Sequence, residues 1–410
     1  MKFERYNISP EIKRNIAKLD WKRPTDIQFK SIPPVMKGED VLAIAQTGTG
    51  KTAAFAIPIV DKVIQLKKKG FKDGIKCLVM VPTRELAQQI TQVFLQIGKN
   101  TRVNTMTVFG GVTQDDQITQ LQKGTDILVA TPGRMFDLRS QGHIDLGKVK
   151  MLVLDEADHM LDLGFIKDIR DVIKYIPKGR QTLFYSATID EKIKKLAYSL
   201  VTNPIRIQIS PKDPISRNIE HSVAFVEMDH KRFFLERMVT ENPESKILAF
   251  VRTKVRAERV QKAMERVNIK SLTIHGDKEQ RERQSALATF RKGEVKLLIA
   301  TDVSARGIDI PNVDYVINYD LPDEPENYVH RIGRTGRGRQ KGQALAFCSD
   351  AEKPLLHAIH DYIGKSINTL EIGNADYQET LDLSVDAHED WKTLMRDFED
   401  DAKNKRKKKK

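Results

Sequence analysis

This chain contains little cysteine, no long apolar run and no N-terminal segment typical of a secretory leader. Its two cysteines, Cys77 and Cys348, each lie in an apolar run typical of a strand and have no metal-ligand spacing around them, so we expect reduced core thiols and no disulfide scaffold. No apolar run approaches the roughly 18 residues that a membrane helix needs. Residues 1–9 lack the apolar core of a signal peptide. These absences predict a globular, cytoplasmic protein with no membrane partner.

The length of the chain limits the number of domains, and its net charge indicates the class of partner. The chain has 410 residues, too many for one ordinary core, which predicts two or three domains of roughly 100 to 200 residues each. The 69 basic and 56 acidic residues give a formal net charge of +13. Removing the +7 of residues 403–410 and the −9 of residues 371–402 leaves +15 for residues 1–370. Such an excess favours a polyanionic partner, although a solvated basic surface without function is the alternative.

Short β-branched apolar runs alternate with amphipathic stretches, which is typical of parallel α/β sheets. The runs of the first half are residues 41–45, 77–81, 127–130, 151–154 and 182–185. Those of the second half are residues 246–250, 272–274, 295–300, 315–318 and 344–347. Two prolines between the halves indicate a connector. We therefore expect a first domain over residues 1–208, a linker over 209–218, a second domain over 219–370, and an acidic then basic, largely disordered tail over 371–410.

The sequence AQTGTGKT, which begins at Ala45, is typical of a phosphate-binding loop. Ala45 stands at the first glycine of the general pattern, so only the inner part of that pattern is met. Gly48 and Gly50 would let backbone N–H groups turn toward phosphate oxygens. Lys51 would neutralise those oxygens, and Thr52 would ligate Mg²⁺. The alternative, a chance glycine-rich turn, is disfavoured by the apolar strand before the loop and the helical stretch after it.

Residues 151–158 read MLVLDEAD, an apolar strand that ends in carboxylates. At this position Asp155 suits a ligand of Mg²⁺, and Glu156 could orient or deprotonate an attacking water. An acidic strand end by itself is more often a solvated loop or a helix cap. Together with the phosphate-binding loop it indicates nucleotide hydrolysis.

A row of arginines lies in the second half, where residues 330–337 read HRIGRTGR. Arg331, Arg334 and Arg337 recur at intervals of three residues, which permits one helical face. The second half has no phosphate-binding loop of its own, so these residues suit arginine fingers supplied within the chain. A basic nucleic-acid patch is the alternative.

Together these motifs resemble the DEAD-box ATP-dependent RNA helicases over roughly residues 3–370. The ordered series is RPTDIQ at 23–28, AQTGTGKT at 45–52, PTREL at 82–86, GG at 110–111, TPGR at 131–134, DEAD at 155–158, SAT at 186–188, FVRT at 250–253, ATDVSARGID at 300–309 and HRIGRTGR at 330–337. The resemblance implies two tandem RecA-like α/β domains with parallel sheets, ATP and Mg²⁺ between them, and single-stranded RNA across both. The segments FVRTK and IHGDK resemble the bacterial RhlE-like branch.

The resemblance also assigns an ATP site. Gln28 is similar to the glutamine that reads the adenine edge, Trp21 stands at the position that stacks on the base, and Phe3 matches the upstream aromatic. Asp20 stands where the family commonly has glycine, a departure that bears on the local turn and on ATP affinity. The ATP positions are Trp21, Arg23, Gln28, Gln46, Thr47, Gly48, Thr49, Gly50, Lys51, Thr52, Asp309, Arg334 and Arg337. Thr52 and Asp155 would hold Mg²⁺, partly through water.

Catalytic and coupling roles are implied in the same way. Ser186 and Thr188 resemble the motif that couples hydrolysis to strand separation, while His330 and Arg331 would join a network that forms when both ligands are bound. The implied catalytic set is Lys51, Asp155, Glu156, Ser186, Thr188, His330, Arg334 and Arg337.

RNA contacts are implied at positions that suit the backbone of a nucleic acid. They are Pro82, Thr83, Arg84, Gly111, Thr131, Gly133 and Arg134 in the first domain and Arg252, Gly276 and Thr301 in the second. Helix N-termini, glycine loops and arginines address phosphate and 2′-OH groups, so we expect low sequence specificity. Each glycine or threonine could instead be an ordinary turn or capping residue.

We therefore expect a monomeric enzyme that couples RNA-stimulated ATP hydrolysis to local separation or remodelling of short RNA duplexes. An ATP-gated RNA clamp with little strand separation would use the same residues. A translocating DNA helicase is a third hypothesis, which the DEAD tetrad and the Gln28 motif disfavour.

Overall fold

The computed structural model describes residues 2–46, 48–209, 215, 218–302, 313–336 and 341–383. Within these ranges the chain divides into two compact units, each with its own seven-stranded sheet. The boundary between them falls inside the expected linker at residues 209–218. Of the helices in these ranges, none has the length and apolar character needed to cross a bilayer.

The first unit is built on a parallel sheet. Its strands are β1 (Val41–Ala45), β2 (Cys77–Met80), β3 (Thr105–Val108), β4 (Ile127–Ala130), β5 (Met151–Leu154), β6 (Gln181–Ser186) and β7 (Ile205–Ile209). Their order across the sheet is β3-β4-β2-β5-β6-β1-β7, and every pairing is parallel. This topology brings strands that are distant in sequence side by side.

Helices cover both faces of the first sheet. They are α1 (Pro10–Lys18), α2 (Asp26–Lys37), α3 (Lys51–Lys68), α4 (Arg84–Ile97), α5 (Asp115–Gln122), α6 (Pro132–Ser140), α7 (Ala157–Asp162), α8 (Ile166–Val172) and α9 (Glu191–Leu200), with 3₁₀ turns at Phe3–Arg5 and Ile173–Tyr175. In β1, Val41 and Ala43 face one buried cluster, while Leu42 and Ile44 face the other. Because both faces are buried, the central strands are continuous apolar runs, the feature that predicted them.

The second unit repeats this architecture. Its strands are β8 (Ile219–Phe225), β9 (Ile247–Phe250), β10 (Ser271–Ile274), β11 (Leu297–Ala300), β12 (Tyr315–Asn318), β13 (Gly342–Cys348) and β14 (Asn368–Thr369). Their order is β10-β11-β9-β12-β13-β8-β14, and all pairings are parallel. The described helices are α10 (Lys231–Glu241), α11 (Lys254–Arg266), α12 (Gln280–Lys292), α13 (Pro325–Ile332), α14 (Lys353–Ile363) and α15 (Asn374–Asp382), with a 3₁₀ turn at Asp350–Glu352.

The ten expected strands and the α/β class are confirmed, but four strands escaped prediction: β3, β7, β8 and β14. Three of the four, β3, β7 and β14, are edge strands, and β8 lies next to the edge strand β14. In β7, for example, Ile207 is buried, whereas its neighbours Arg206 and Gln208 are exposed. Partial burial permits polar residues, so these strands lack the continuous apolar run that marks a central strand.

The expected end of the second domain at residue 370 is too early, because α15 packs against α10. The Tyr377 hydroxyl accepts a hydrogen bond from the Glu227 amide at 3.1 Å, and its ring lies 4.9 Å from that of Phe234. Arg237 donates to the Thr380 hydroxyl at 2.7 Å. The helix is largely polar and is anchored mainly by one aromatic residue, so its apolar pattern was too weak to predict it. Residues 384–410 lie outside the described ranges.

Both cysteines are free and buried in the two sheets, as expected. Burial raises the pKa of Cys77 far above the usual thiol value and raises the pKa of Cys348 to about 11. Neither thiol is therefore poised for reaction at neutral pH.

A buried ion pair joins two helical segments of the second unit. Lys231 at the start of α10 is fully buried and donates to Glu352, which also accepts from the amides of Ser349 at 3.0 Å and Leu321 at 3.1 Å. Lys231 also lies 3.8 Å from Asp320. Burial alone would raise the pKa of Glu352, but the charge and hydrogen bond of Lys231, together with the hydrogen bonds from Ser349, outweigh burial and hold that pKa below its usual value.

We expect Lys231→Met to destabilise the second domain by about 3–5 kcal/mol, because it removes the fully buried cation between Glu352 and Asp320 and leaves these carboxylates only the partly exposed Arg252 and Arg256 as partners. The loss in the free energy of unfolding is measured by urea titration in which hydrogen exchange of the β8 and β13 amides reports on the second domain. The control is Lys292→Met, which removes an exposed pair with Glu294 and should cost less than about 1 kcal/mol. Equal losses in the two variants would contradict the role of the buried pair.

Candidate functional site

The segments that follow parallel strands meet at one edge of the first sheet, here called the carboxyl edge. Three neighbouring strands, β5, β6 and β1, lead into residues 155–158, 186–188 and 46–52. The adjacent trio, β3, β4 and β2, leads into the segments that contain Gly111, Thr131 and Thr83. The predicted nucleotide residues and the predicted RNA residues therefore occupy neighbouring halves of one edge.

The loop between β1 and α3 has the backbone that a phosphate-binding loop requires. Gly48 and Gly50 have φ values of 83° and 94°, a region that side chains other than glycine rarely adopt. The Thr49 hydroxyl donates to the carbonyl of Gln46 at 2.7 Å. Because α3 begins at Lys51, its unpaired first-turn N–H groups adjoin the loop. Thr47 lies outside the described residues.

Lys51 is a buried cation that lacks a hydrogen-bond partner among the residues described. Its side chain is 5% exposed, and Nζ donates to no protein acceptor in those ranges. Burying an ammonium group without hydrogen bonds is costly, although the nearby Asp155 offsets part of the cost. The arrangement fits the oxygens of a triphosphate, which would supply the acceptors that Lys51 lacks.

Asp155 and Glu156 lie where β5 ends, and both are buried. Burial raises the pKa of Asp155 to about 6; Lys51 opposes this shift, whereas the neighbouring Glu156 adds to it. Glu156 has a φ of 51°, and its amide donates to the Asp155 carboxylate at 3.0 Å. Such backbone is strained for a residue other than glycine and concentrates at functional sites. The carboxyl of Asp155 and the hydroxyl of Thr52 are the groups here that could hold a divalent cation.

Asp158 links the DEAD segment to the SAT segment. Its Oδ2 accepts hydrogen bonds from the Ala187 amide at 2.9 Å and from the amide and hydroxyl of Thr188 at 3.0 and 3.2 Å. The Ser186 hydroxyl is fully buried, with no hydrogen-bond partner among the residues described. The sequence alone does not reveal which amides the Asp158 carboxylate meets, so this link is visible only in the structure.

Gln28 is fixed at the start of α2 and touches the phosphate loop. Its Oε1 accepts from the Thr25 amide at 3.0 Å in a capping box, and its Nε2 donates to the Gly50 carbonyl at 3.2 Å. A Cβ on residue 50 would lie 2.5 Å from that Nε2, so glycine is required there. Trp21 is half-buried against the core.

Three other positions named for this region are placed as well. Phe3 is buried, and Arg23 is exposed. Asp20 adopts the left-handed backbone with a φ of 55°, so the turn that glycine commonly makes at this position is made by aspartate.

In the other half of the carboxyl edge, Arg84 lies over Gly111. A Cβ on residue 111 would stand 1.9 Å from the Arg84 Nη1, and the φ of Gly111 is 77°. The Thr83 hydroxyl caps α4 by accepting from the Leu86 amide at 3.3 Å. Pro82 and Thr131 are buried, and Gly133 is exposed in the first turn of α6.

Arg134 connects α6 to the segment after β3. Its Nη2 donates to the Val112 carbonyl at 2.8 Å, and its Nε lies 3.7 Å from Asp137. Its Nη1 is buried without a hydrogen-bond partner in the part of the chain that the structure describes. Arg134 therefore retains a donor that a ligand could satisfy.

In the second unit the predicted RNA positions Gly276, Thr301 and Arg252 follow β10, β11 and β9, which are also neighbours. The Arg252 guanidinium contacts Glu352 at 3.1 Å and Asp323 at 3.3 Å, so carboxylates of its own domain orient it. Thr301 is buried.

The segment around Gly276 is held by charged side chains. His275 contacts Glu258 at 2.7 Å, and Lys278 contacts the same carboxylate at 3.0 Å. Burial alone would raise the pKa of Glu258, but hydrogen bonds from these partners outweigh burial and lower it to about 2.

The Arg331 guanidinium is held by hydrogen bonds within the second unit. It is 1% exposed and forms two hydrogen bonds with Asp302, at 2.6 and 2.7 Å, and further bonds with the Asn318 side chain and the Asp320 carbonyl. Arg334 is also buried, and its Nε donates to the His330 carbonyl at 3.3 Å. The sequence did not identify Asp302 as the partner of Arg331. Asp309 and Arg337 lie outside the described residues.

Two family models match this chain. The DEAD/DEAH box helicase model covers residues 25–196, and the helicase conserved C-terminal domain model covers residues 230–339. The chain is 37% identical over 385 residues to the DEAD-box ATP-dependent RNA helicase RhpA of Helicobacter pylori, covering 94% of this chain and 77% of that protein. It is 39% identical over 370 residues to the ATP-dependent RNA helicase DbpA of Bacillus subtilis, covering 90% and 76%.

Solved structures agree with these matches. Dbp5 of S. cerevisiae bound to RNA and ADP BeF3 superposes with a TM-score of 0.80 at 30% identity, covering 92% of this chain and 97% of that one. The DEAD-box helicase Mss116 bound to ssRNA and UDP-BeF gives a TM-score of 0.81 at 28% identity, covering 93% and 82%. With both family models, the relatives and the fold in agreement, this chain belongs to the DEAD-box ATP-dependent RNA helicases.

Proposed function

We propose that this chain binds ATP with Mg²⁺ at the loop around Lys51 and couples its RNA-stimulated hydrolysis to local separation of short RNA duplexes. The observation that carries the proposal is the buried Lys51 ammonium beside the glycine loop, which has no hydrogen-bond acceptor within the described ranges. Relatives that bind RNA and a nucleotide with BeF add support. In this proposal Gln28 reads the adenine edge, and the α3 N-terminus and Lys51 bind the phosphates.

Thr52 and Asp155 would hold Mg²⁺, which when bound neutralises charge on the phosphate oxygens. The described residues contain no cluster of three or more His, Cys, Asp or Glu side chains suited to a metal. The remaining ligands would therefore be phosphate oxygens and water, in keeping with the usual coordination of Mg²⁺.

Glu156 would accept a proton from, or orient, the attacking water. Asp158 would position the SAT segment through its bonds to Ala187 and Thr188. The placement of the residues supports both roles: Glu156 is held by strained backbone beside Asp155, and the Asp158 carboxylate accepts hydrogen bonds from amides. Catalysis here would be a matter of positioning and electrostatics.

Arg334 and Arg337 would supply positive charge to the transferring phosphoryl group. Arg331 would act differently, because its guanidinium is already bonded to Asp302, Asn318 and Asp320. We therefore assign it as a positioning residue that fixes the last turn of α13 to Asp302 and to the segment after β12.

RNA would lie along the carboxyl edge at Arg84, Gly111 and Arg134, and in the second domain at Arg252, Gly276 and Thr301. Their backbone amides, hydroxyls and guanidinium groups suit phosphate and 2′-OH groups and leave the bases unread.

Strand release from a short duplex in the presence of ATP tests this function directly. ATP-dependent RNA binding without strand release would favour a clamp.

We expect Glu156→Gln to lower ATP turnover by about 10²-fold or more, because the proton acceptor is lost while the side-chain volume is kept. ATP binding should persist, so the variant should form a long-lived complex with RNA in ATP. Stopped-flow release of labelled RNA measures its lifetime. Glu191→Gln, at an exposed position on α9, is the control. RNA release as fast as from wild type would refute the assignment.

For Arg334→Ala we expect a fall in kcat of about 10³-fold or more with little change in ATP affinity in the absence of RNA, because a finger stabilises charge that develops in the transition state. Steady-state ATPase at saturating RNA and nucleotide titration separate the two quantities. Arg291→Ala, at the exposed end of α12, is the comparison. If the variant mainly weakens RNA binding while its saturated kcat is retained, Arg334 belongs to a basic patch.

Gly111→Ala should weaken RNA binding by about tenfold, because the added methyl displaces the Arg84 guanidinium and removes one charge-assisted contact. ATP binding without RNA should stay at the wild-type level. Anisotropy of labelled single-stranded RNA gives the affinity. Gly124→Ala is the matched control, because Gly124 has a similar φ of 91° but no atom within 4 Å of the added methyl. An equal effect in both variants would point to backbone strain alone.

A further inference from the structure

A basic cleft lies on the first unit, away from the carboxyl edge. It encloses about 650 Å³ between the last turn of α3, the segment before β2 and the segment before β3. Because it adjoins the amino ends of these strands, it lies at the opposite edge of the sheet from Thr83 and Gly111. Helix α3, of 18 residues, spans about 27 Å and separates Lys51 at its start from Lys68 at its end. The cleft is therefore distinct from the site described above.

The lining of the cleft carries an excess of positive charge. Four cations, Lys67, Lys68, Lys72 and Arg102, face one carboxylate, Glu11, which lies 3.5 Å from Arg14. Lys68, Lys72 and Arg102 are exposed, and their side chains form no ion pair or hydrogen bond with the residues that the structure describes. Three cations are thus presented together without acidic partners.

The walls of the cleft are fixed by a buried carboxylate. Asp126 is 3% exposed and binds Lys67 at 2.7 Å, Lys76 at 2.9 Å and the Asn104 amide at 2.8 Å. Lys76 in turn donates to the carbonyls of Lys72 and Gly74 at 3.0 and 2.8 Å. This network ties the segments before β2 and β3 to the end of α3. The exposed cations therefore extend from a rigid backbone, which lowers the entropic cost of binding.

Phosphate is the chemistry that such a lining recognises. Three unpaired cations and the side-chain amide of Asn100 supply donors, while Ile64 and Val103 add apolar surface for a ribose or base. RNA is favoured over an acidic protein because an RNA already held at the carboxyl edge would present its flanking segment at high effective concentration. The +15 charge of residues 1–370 acts in the same direction.

We propose that this cleft binds the phosphodiester backbone of RNA that flanks the strand held at the carboxyl edge. The proposal rests on the proposed function, since it requires RNA to be bound there first. It extends that function by adding a second contact that sets affinity for long RNA without taking part in ATP hydrolysis.

The test is a triple variant, Lys68→Gln, Lys72→Gln and Arg102→Gln, in the full chain. The matched control, Lys178→Gln, Lys192→Gln and Lys195→Gln, removes the same charge at exposed positions elsewhere on the first domain. Affinities are measured by anisotropy across a salt series, for a short single strand that just supports ATPase and for a long one that extends beyond it.

For the long strand we expect the cleft variant to reduce the slope of log affinity against log salt by up to about 2, at about 0.7 for each lost phosphate contact. Its affinity for the short strand and its kcat at saturating RNA should match wild type, and the control should retain the wild-type slope.

Three results would overturn the proposal: an unchanged slope for the long strand, equal losses in the cleft and control variants, or an equal loss for the short strand. Failure of the proposed function gives a different result, because wild type itself would then lack RNA-stimulated ATPase.

Discussion

Parallel strand pairing is the constraint on which the site depends. Because each sheet runs in one direction, every strand delivers its following segment to the same edge, and a crossover helix returns the chain to the opposite edge. Residues as far apart in sequence as Lys51, Asp158 and Thr188 become parts of one surface in this way. The order of the strands then decides which functions are neighbours. Strands β5 and β6 lie between β1 and β2, so the DEAD and SAT segments stand between the phosphate loop and the segments assigned to RNA.

The nucleotide site contains buried polar groups and strained backbone that the surrounding fold must stabilise. Lys51 and Asp155 are buried charges, Glu156 has left-handed backbone, and the Ser186 hydroxyl lacks a hydrogen-bond partner among the described residues. Each feature lowers the stability of the unliganded domain, and the two large apolar clusters on either face of the sheet compensate for that loss. Groups that lack partners before binding can form their hydrogen bonds with the ligand, so the cost to the free protein contributes to affinity and positioning.

Much of the fold was predictable from sequence, because central parallel strands are buried on both faces and leave continuous apolar runs. Strand β7, with Arg206 and Gln208 left unburied, broke that pattern, and α15 depends on Tyr377 and little else apolar. In the site, residue types and spacing sufficed to name Lys51 and Asp155 as candidates, whereas Gln28 was named from the family resemblance. The partners of Arg252 and Arg331 could not be named, because their carboxylates come from separate segments. The lysines and arginine of the basic cleft gave no signal either, since they share no motif and meet only through the fold.

The capping box of α2 also fixes the orientation of the Gln28 side-chain amide. The Thr25 amide and the Gly50 carbonyl together determine that Gln28 keeps its oxygen on one side and its nitrogen on the other. The remaining lone pair and N–H then form an ordered acceptor–donor pair. Adenine presents the complementary donor and acceptor at N6 and N7, whereas guanine presents two acceptors, so its O6 would face the amide oxygen. In the proposed adenine-binding role, the hydrogen bond that begins α2 would thereby also discriminate between purine bases.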